Sequence, residues 1–353
     1  MKYLKMSGVM GMSLLLAFAG ACSNGNEGAK GGKAETVTAV DNSEKIDYGL
    51  FCNDDCEEAL TLKASRDSIE GKVGVIVSGT FPYGAGTKRM SEEAVQKYFP
   101  KLELIVGNGN SDPATQTSVV DDFISKNVDI IVIDLVEKDA VNPALERAKK
   151  AGIPVITIDR WTPVKVTSLI KAEDVAVGRT AGEKVVELLN GKGNVIELKG
   201  TAASTTSIDR NKGIEEAFTG HSDIKIVEST NGDFDQDKSL KITEDLLQRF
   251  PKGEIDAIVS HADVMTMGAI QAIRAAGRED EIVVVSVDAQ QTALEAVKSG
   301  AIDATVAYPI VMPMGIIAAA KTIAGEPIPE SIKLDSPLIT KENVDTYDGK
   351  TGY

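Results

Sequence analysis

The chain has 353 residues, 42% of them hydrophobic and 26% charged, with a formal net charge of -15. The apolar content is that of a folded body, while the surplus of carboxylates repels a phosphate backbone and excludes nucleic acid as the main partner. Beyond the first 21 residues no apolar run is long enough to span a bilayer.

The chain opens with Lys2 and Lys5, continues through an apolar run from Ser13 to Phe18, and sets the small residues Ala19, Gly20 and Ala21 before Cys22. A positive start, a short apolar core and small residues at the cleavage point are the parts of a secretory signal. With a cysteine directly after them, residues 1–21 resemble a bacterial lipoprotein signal peptide, Ala19 standing where leucine is usual. The resemblance implies export, cleavage before Cys22, lipidation of Cys22, and a place on the periplasmic or cell-surface side of a membrane. Residues 22–45, rich in Gly, Ser, Asn and charge, lack the apolar surface to fold and read as a flexible tether.

Residues 46–70 form an N-terminal extension with an apparent amphipathic helix through Ala59, Leu60 and Leu62, expected to pack on the lobe that follows. It carries Cys52 and Cys56. An oxidising compartment favours a disulfide over free thiols, although this spacing on a regular helix needs distortion to reach bonding geometry. No metal site is expected, because zinc asks for four N or S ligands and the histidines are two, His221 and His261.

From residue 72 short β-branched runs alternate with segments of helical apolar spacing. Strands are predicted at 72–79, 102–109, 128–135, 154–160, 168–174, 194–200, 224–230, 255–261, 282–288 and 302–309. Several are apolar almost throughout, as parallel strands covered on both faces are. Val177, Ala181, Val185 and Leu188 place one apolar stripe on an intervening helix. The alternation predicts an α/β fold of two lobes, each a doubly wound parallel sheet with right-handed crossovers, dividing near residue 173.

In such sheets ligands sit beyond the carboxyl ends of the strands. The residues there include Ser78 to Tyr83, Asp134, Asp159 to Trp161, Glu173, Asp174, Gly200 to Thr206, His261 to Asp263, Asp288 and Tyr308. Hydroxyls, carboxylates, an arginine and aromatics suit a neutral polyhydroxylated guest. GNGNSD at 107–112 has Asp112 where a dinucleotide fingerprint needs its third glycine, and it reads as a turn with a helix cap. No phosphate-binding loop and no nucleophile elbow occurs, and His261 has no nucleophile and orienting partner in view, so neither catalysis nor a cofactor is expected. In IPVITIDRWTP (153–163) Asp159 supplies an acceptor, Arg160 a forked donor and Trp161, the only tryptophan, a ring for a sugar face. The same residues also read as a surface ion pair beside a tryptophan that covers the core.

VITIDR, VIELKGTAASTTSIDRNKGIEEAF (195–218), GDFDQDKSLKITEDLL (232–247), MTMGAIQAIRAAG (265–277), VVVSVDA (283–289) and DATVAYP (303–309) together resemble the ribose-type periplasmic sugar-binding proteins, over about residues 72–337. The resemblance implies a type I binding protein fold with three crossings near Glu173, Tyr308 and Pro337. The N-terminal lobe then comprises 72–173 plus 309–337, the C-terminal lobe 174–308, and the tail 338–353.

It also implies a site at Ser78, Phe81, Tyr83, Asp159, Arg160, Phe234 and Asp288. Trp161, Arg210 and Tyr308 join as candidates from their positions. Three positions depart from the family: Ile208 replaces an arginine, with Arg210 two residues on; Ala262 replaces asparagine before Asp263; Tyr308 replaces glutamine. A less polar, more aromatic site suits a hexose, a deoxy or methylated sugar, or a cyclic polyol. The implied role is a monomeric, lipid-anchored protein that hands its sugar or polyol to the membrane subunits of an ABC importer. The rival is a receptor component that passes its closed form to a chemoreceptor or sensor kinase. A repressor with the same lobes is excluded by a signal peptide where its DNA-binding helices belong.

Overall fold

The computed structural model describes residues 45–353. The signal peptide, Cys22 and nearly all of the tether lie outside the described residues.

The elements follow in chain order. They are α1 (Asp54–Leu60), β1 (Gly71–Val77), α2 (Pro82–Tyr98), β2 (Leu102–Asn108), α3 (Pro113–Ser125), β3 (Ile130–Asp134), α4 (Asn142–Lys150), β4 (Val155–Ile158) and β5 (Ser168–Ala172). Then come α5 (Asp174–Leu188), β6 (Gly193–Lys199), α6 (Thr205–Phe218), β7 (Ile224–Asn231), α7 (Gln236–Arg249), β8 (Ala257–Ser260), α8 (Asp263–Ala275), β9 (Val283–Asp288), α9 (Gln291–Ser299) and β10 (Ala304–Ala307). The chain closes with α10 (Met314–Ile323), β11 (Ser331–Leu334) and β12 (Leu338–Thr340).

The strands make two six-stranded sheets, ordered β11-β5-β4-β3-β1-β2 and β12-β10-β9-β8-β6-β7. Every pairing is parallel except β10 with β12, where Ala304 faces Thr340. Central strands such as IIVID and AIVS are buried throughout, because helices cover both sheet faces and leave no solvent side for alternation to mark. Helix starts follow local chemistry: proline stands in the first turn of α2, α3 and α4. The Asp112 carboxylate caps α3 by accepting from the Thr115 amide at 2.8 Å, so GNGNSD is the turn and cap that its residues suggest. The two sheets share one order, with a switch point between β1 and β3 in one and between β6 and β8 in the other.

The chain passes between the sheets after β5 at Glu173, after β10 at 308–313, and between β11 and β12 at 335–337. Residues 338–340, expected within the tail, are an edge strand of the second sheet.

The extension touches both lobes rather than one. Cys56 and Leu60 are buried in the core of the first lobe, while Phe51 joins the core of the second and stacks on Tyr347 with ring centroids 6.4 Å apart. The Asn53 amide donates to Asp335 in the third crossing at 2.8 Å. Cys52 and Cys56 are disulfide-bonded. The expected helical distortion does not arise, because α1 begins at Asp54 and Cys52 precedes its cap, Asn53.

Candidate functional site

A cleft enclosing about 400 Å3 of space between atoms, part of it open to solvent, lies between the carboxyl ends of the two sheets. From the first lobe come Phe81, Pro82, Tyr83, Asp159 and Arg160; from the second come Thr206, Arg210, Phe234, Ala262, Val264, Asp288, Gln290 and Tyr308. Eight of the ten candidate site residues therefore meet there. Val264 and Gln290 line it without having been named in the sequence, and Pro82 and Thr206 had been named only as members of the strand-end stretches. Each follows a strand end or opens the next helix, which was the available signal.

Backbone geometry aims the key groups. Asp159, Phe234 and Asp288 have φ of 64°, 57° and 123°, values that side chains other than glycine rarely adopt and that cluster at functional sites. Phe234 can turn inward because Gly200 faces its ring: a Cβ at that position would lie 2.0 Å from the Phe234 Cζ.

On the first lobe, Arg160 donates through Nη1 to the carbonyls of Leu135 and Val136 at 2.5 and 3.0 Å. Its Nε lies 3.1 Å from Asp159 Oδ2 and 4.0 Å from Asp134 Oδ1, yet is buried without a hydrogen bond. Ser78 does not line the cleft. It lies behind it and donates to Asp134. Burial pushes the Asp134 pKa up to about 7 against the pull of Arg160.

On the second lobe, Arg210 Nε donates to Asp174 Oδ1 at 3.0 Å, and Nη1 donates to the His261 carbonyl and lies 3.5 Å from Asp288 Oδ1. The guanidinium sits over the Tyr308 ring, 4.4 Å from its centroid. Burial pulls the Arg210 pKa down, and the Asp174 and Asp288 carboxylates outweigh it. Burial drives the Asp288 carboxyl well above its ordinary range, opposed by Arg210. Gln290 Nε2 donates to Asp288 Oδ2 at 3.2 Å. On α6, Ile208 is 42% exposed and Arg210 2%. The helix turn thus sends the arginine, not the isoleucine, toward the cleft.

The lobes also touch each other. Thr206 Oγ1 donates to Asp159 Oδ1 at 3.4 Å, the Tyr308 hydroxyl to the Asp159 carbonyl at 3.4 Å, and Arg160 lies over the Phe234 ring at 5.8 Å. Trp161 is a correction to its expected stacking role: it does not line the cleft. Its Nε1 donates across the lobes to Asp209 Oδ2 at 3.1 Å, with the Lys138 ammonium 5.3 Å from its ring centroid. Lys171 Nζ lies 3.9 Å from the same Asp209 oxygen. His261 likewise turns away from the cleft. Its Nε2 meets Glu197 Oε1 at 2.9 Å, and burial lowers its pKa.

The cleft thus combines carboxylate acceptors, guanidinium donors and aromatic faces, with each arginine already beside carboxylates of its own lobe. Such a site grips adjacent hydroxyls of an uncharged guest.

Two doubly wound lobes around a cleft define the class, and residues 75–321 match the periplasmic binding protein domain. The chain belongs to that family, whose members bind solutes and are not enzymes. It is 31% identical over 248 residues to the xylitol-binding protein of Mycolicibacterium smegmatis, covering 69% of this chain and 70% of that one. The ribose import binding protein RbsB of Bacillus subtilis is 30% identical over 236 residues, 66% of this chain and 75% of its own. A solute binding protein of an ABC transporter from Bacillus halodurans, solved with bound myo-inositol, superposes with a TM-score of 0.75. It is 29% identical, across 80% of this chain and 99% of that one.

Proposed function

We propose that this chain is a lipid-anchored solute-binding protein that captures a sugar or cyclic polyol between its lobes and delivers it to the membrane subunits of an ABC importer. One observation carries the reading: Asp159 and Arg160 of one lobe face Phe234, Arg210 and Asp288 of the other across a single cleft. A guest that touches both sides favours the closed state, and only that difference in contact shifts the population of lobe closure. Asp159 and the unbonded Arg160 Nε supply the polar grip from one side. Phe234 offers an apolar face and Asp288 an acceptor from the other.

Ala262, Tyr308 and the outward Ile208 leave fewer donors than a ribose site of this family holds. That favours a guest with a larger apolar face, and relatives named for xylitol and solved with myo-inositol support a polyol. The anchor rests on the sequence of residues 1–22 and the importer on the family. Titration calorimetry against pentoses, hexoses and polyols tests the guest. Micromolar or tighter binding of a hexose or cyclic polyol is expected; D-ribose binding far above every other member overturns that choice. Incorporation of labelled palmitate that disappears in Cys22→Ser tests the anchor.

A further inference from the structure

Residues 341–353 lie outside the matched family region. Their contacts are specific. On the second lobe, Lys298 of α9 pairs with Asp345 and Asp348 at 2.8 and 2.7 Å, and Gln291 bonds both Asp348 and the Gly349 amide. The tail then reaches the first lobe, where Arg89 of α2 donates to the Gly352 carbonyl. Gly352 has φ of +91° and faces the Met90 sulfur, so a side chain there is strained. Beyond this turn the Tyr353 hydroxyl donates to the Tyr308 carbonyl at 3.0 Å.

Tyr308 is the first residue of the second crossing and a wall of the cleft. Its amide donates to the carbonyl of Asp288 at 3.1 Å, and the preceding amide, Ala307, donates to Pro337 in the third crossing at 2.9 Å. Both backbone polar groups of Tyr308 are therefore held, one by a cleft carboxylate residue in a strained conformation and the other by the tail. Burial, with Asp288 and Tyr83 nearby, raises the Tyr353 pKa well above its ordinary value, which keeps the phenol protonated as a donor.

We propose that Tyr353 is a positioning residue of the cleft. By donating to the Tyr308 carbonyl it fixes the second crossing in the register that presents Tyr308 and Asp288 to a bound sugar or polyol. Residues 349–353 act as a further, non-covalent tie between the lobes. The consequence for binding rests on the sugar or polyol reading above; the effect on the crossing does not.

The test uses Tyr353→Phe and Tyr353→Ala in the full chain. Amide exchange of residues 307–312 is followed without sugar, and xylitol, myo-inositol and D-ribose are each titrated. Both variants should exchange faster in 307–312 by roughly threefold to tenfold, the effect of one lost hydrogen bond. Whichever of the three compounds binds the parent should bind both variants more weakly by a similar factor. Unchanged exchange in both variants overturns the proposal. So does wild-type behaviour of Tyr353→Phe beside a defective Tyr353→Ala, because ring packing alone then suffices. Faster exchange with undiminished affinity for a compound that binds the parent also overturns it. If none of the three binds the parent, faster exchange in both variants supports the tie to the crossing, and it is the choice of guest that fails.

Discussion

Each lobe brings one buried arginine to the cleft, and the two are held differently. Arg210 is satisfied within its own lobe by Asp174, the His261 carbonyl and Asp288, with Tyr308 beneath it. Arg160 is anchored through one nitrogen to two carbonyls, while its Nε has a carboxylate nearby and no hydrogen bond. A charge enclosed by partners of its own lobe stiffens that lobe. One with a donor left over can meet a guest. The second lobe is accordingly a preformed frame, and on the reading proposed above the Asp159 and Arg160 pair is the part that meets the guest.

The largest effect should come from attacking the frame. Arg210→Met leaves Asp288 buried without its counter-charge and Asp174 with Lys171 alone, a loss of about 3–5 kcal/mol, visible in urea unfolding of the ligand-free protein. Asp159→Ala sharpens the contrast: affinity for the best-binding polyol should fall at least about 30-fold, while the ligand-free protein loses less stability than Arg210→Met does, because Asp134 still faces Arg160. If Asp159→Ala unfolds the protein as readily as Arg210→Met, the division into frame and reader is wrong.

Smaller effects lie at the mouth and beneath the frame. Trp161→Phe keeps the ring but loses the donor to Asp209, so dissociation in stopped-flow should quicken by roughly threefold to tenfold, with the ranking of sugars preserved. A changed ranking would mean that Trp161 touches the guest. Asp263, which accepts from the Thr305 hydroxyl and the Gln290 amide, has its carboxyl raised by burial to about 7. Its folded pKa exceeds its unfolded one, so the native state holds a proton that the unfolded state releases between about pH 4 and 7. Stability from this group falls as pH rises through that window. Asp263→Asn should show a flatter stability profile there by calorimetry.

The first ten strands were legible because β-branched runs such as VDIIVIDL and IVVVSVD carry their own signal. The edge strands β11 and β12 were not. SIKL alternates between exposed and buried, and LIT has three residues, so neither differs from loop on local grounds. The strand-end rule led to Asp159, Arg160 and Asp288, since doubly wound sheets fix where strands stop, whereas Phe234 came from the family resemblance alone. Trp161 shows the limit: residue chemistry gave it an aromatic face for a sugar, and only the approach of the other lobe reveals Asp209 as its partner. Ser78 failed similarly, because alternation along β1 does not tell whether the residue after it faces the cleft or Asp134 behind it.

One contact far from the cleft bears on how the molecule can be moored. The backbone amide of Asp47 donates to the hydroxyl of Tyr98, at the far end of α2. Tyr83, at the opposite end of that helix, lines the cleft, and at roughly 1.5 Å of rise per residue the two positions stand about 22 Å apart. The described chain thus starts at the end of the first lobe remote from the cleft, where the proposed anchor would hold the molecule without crowding the site.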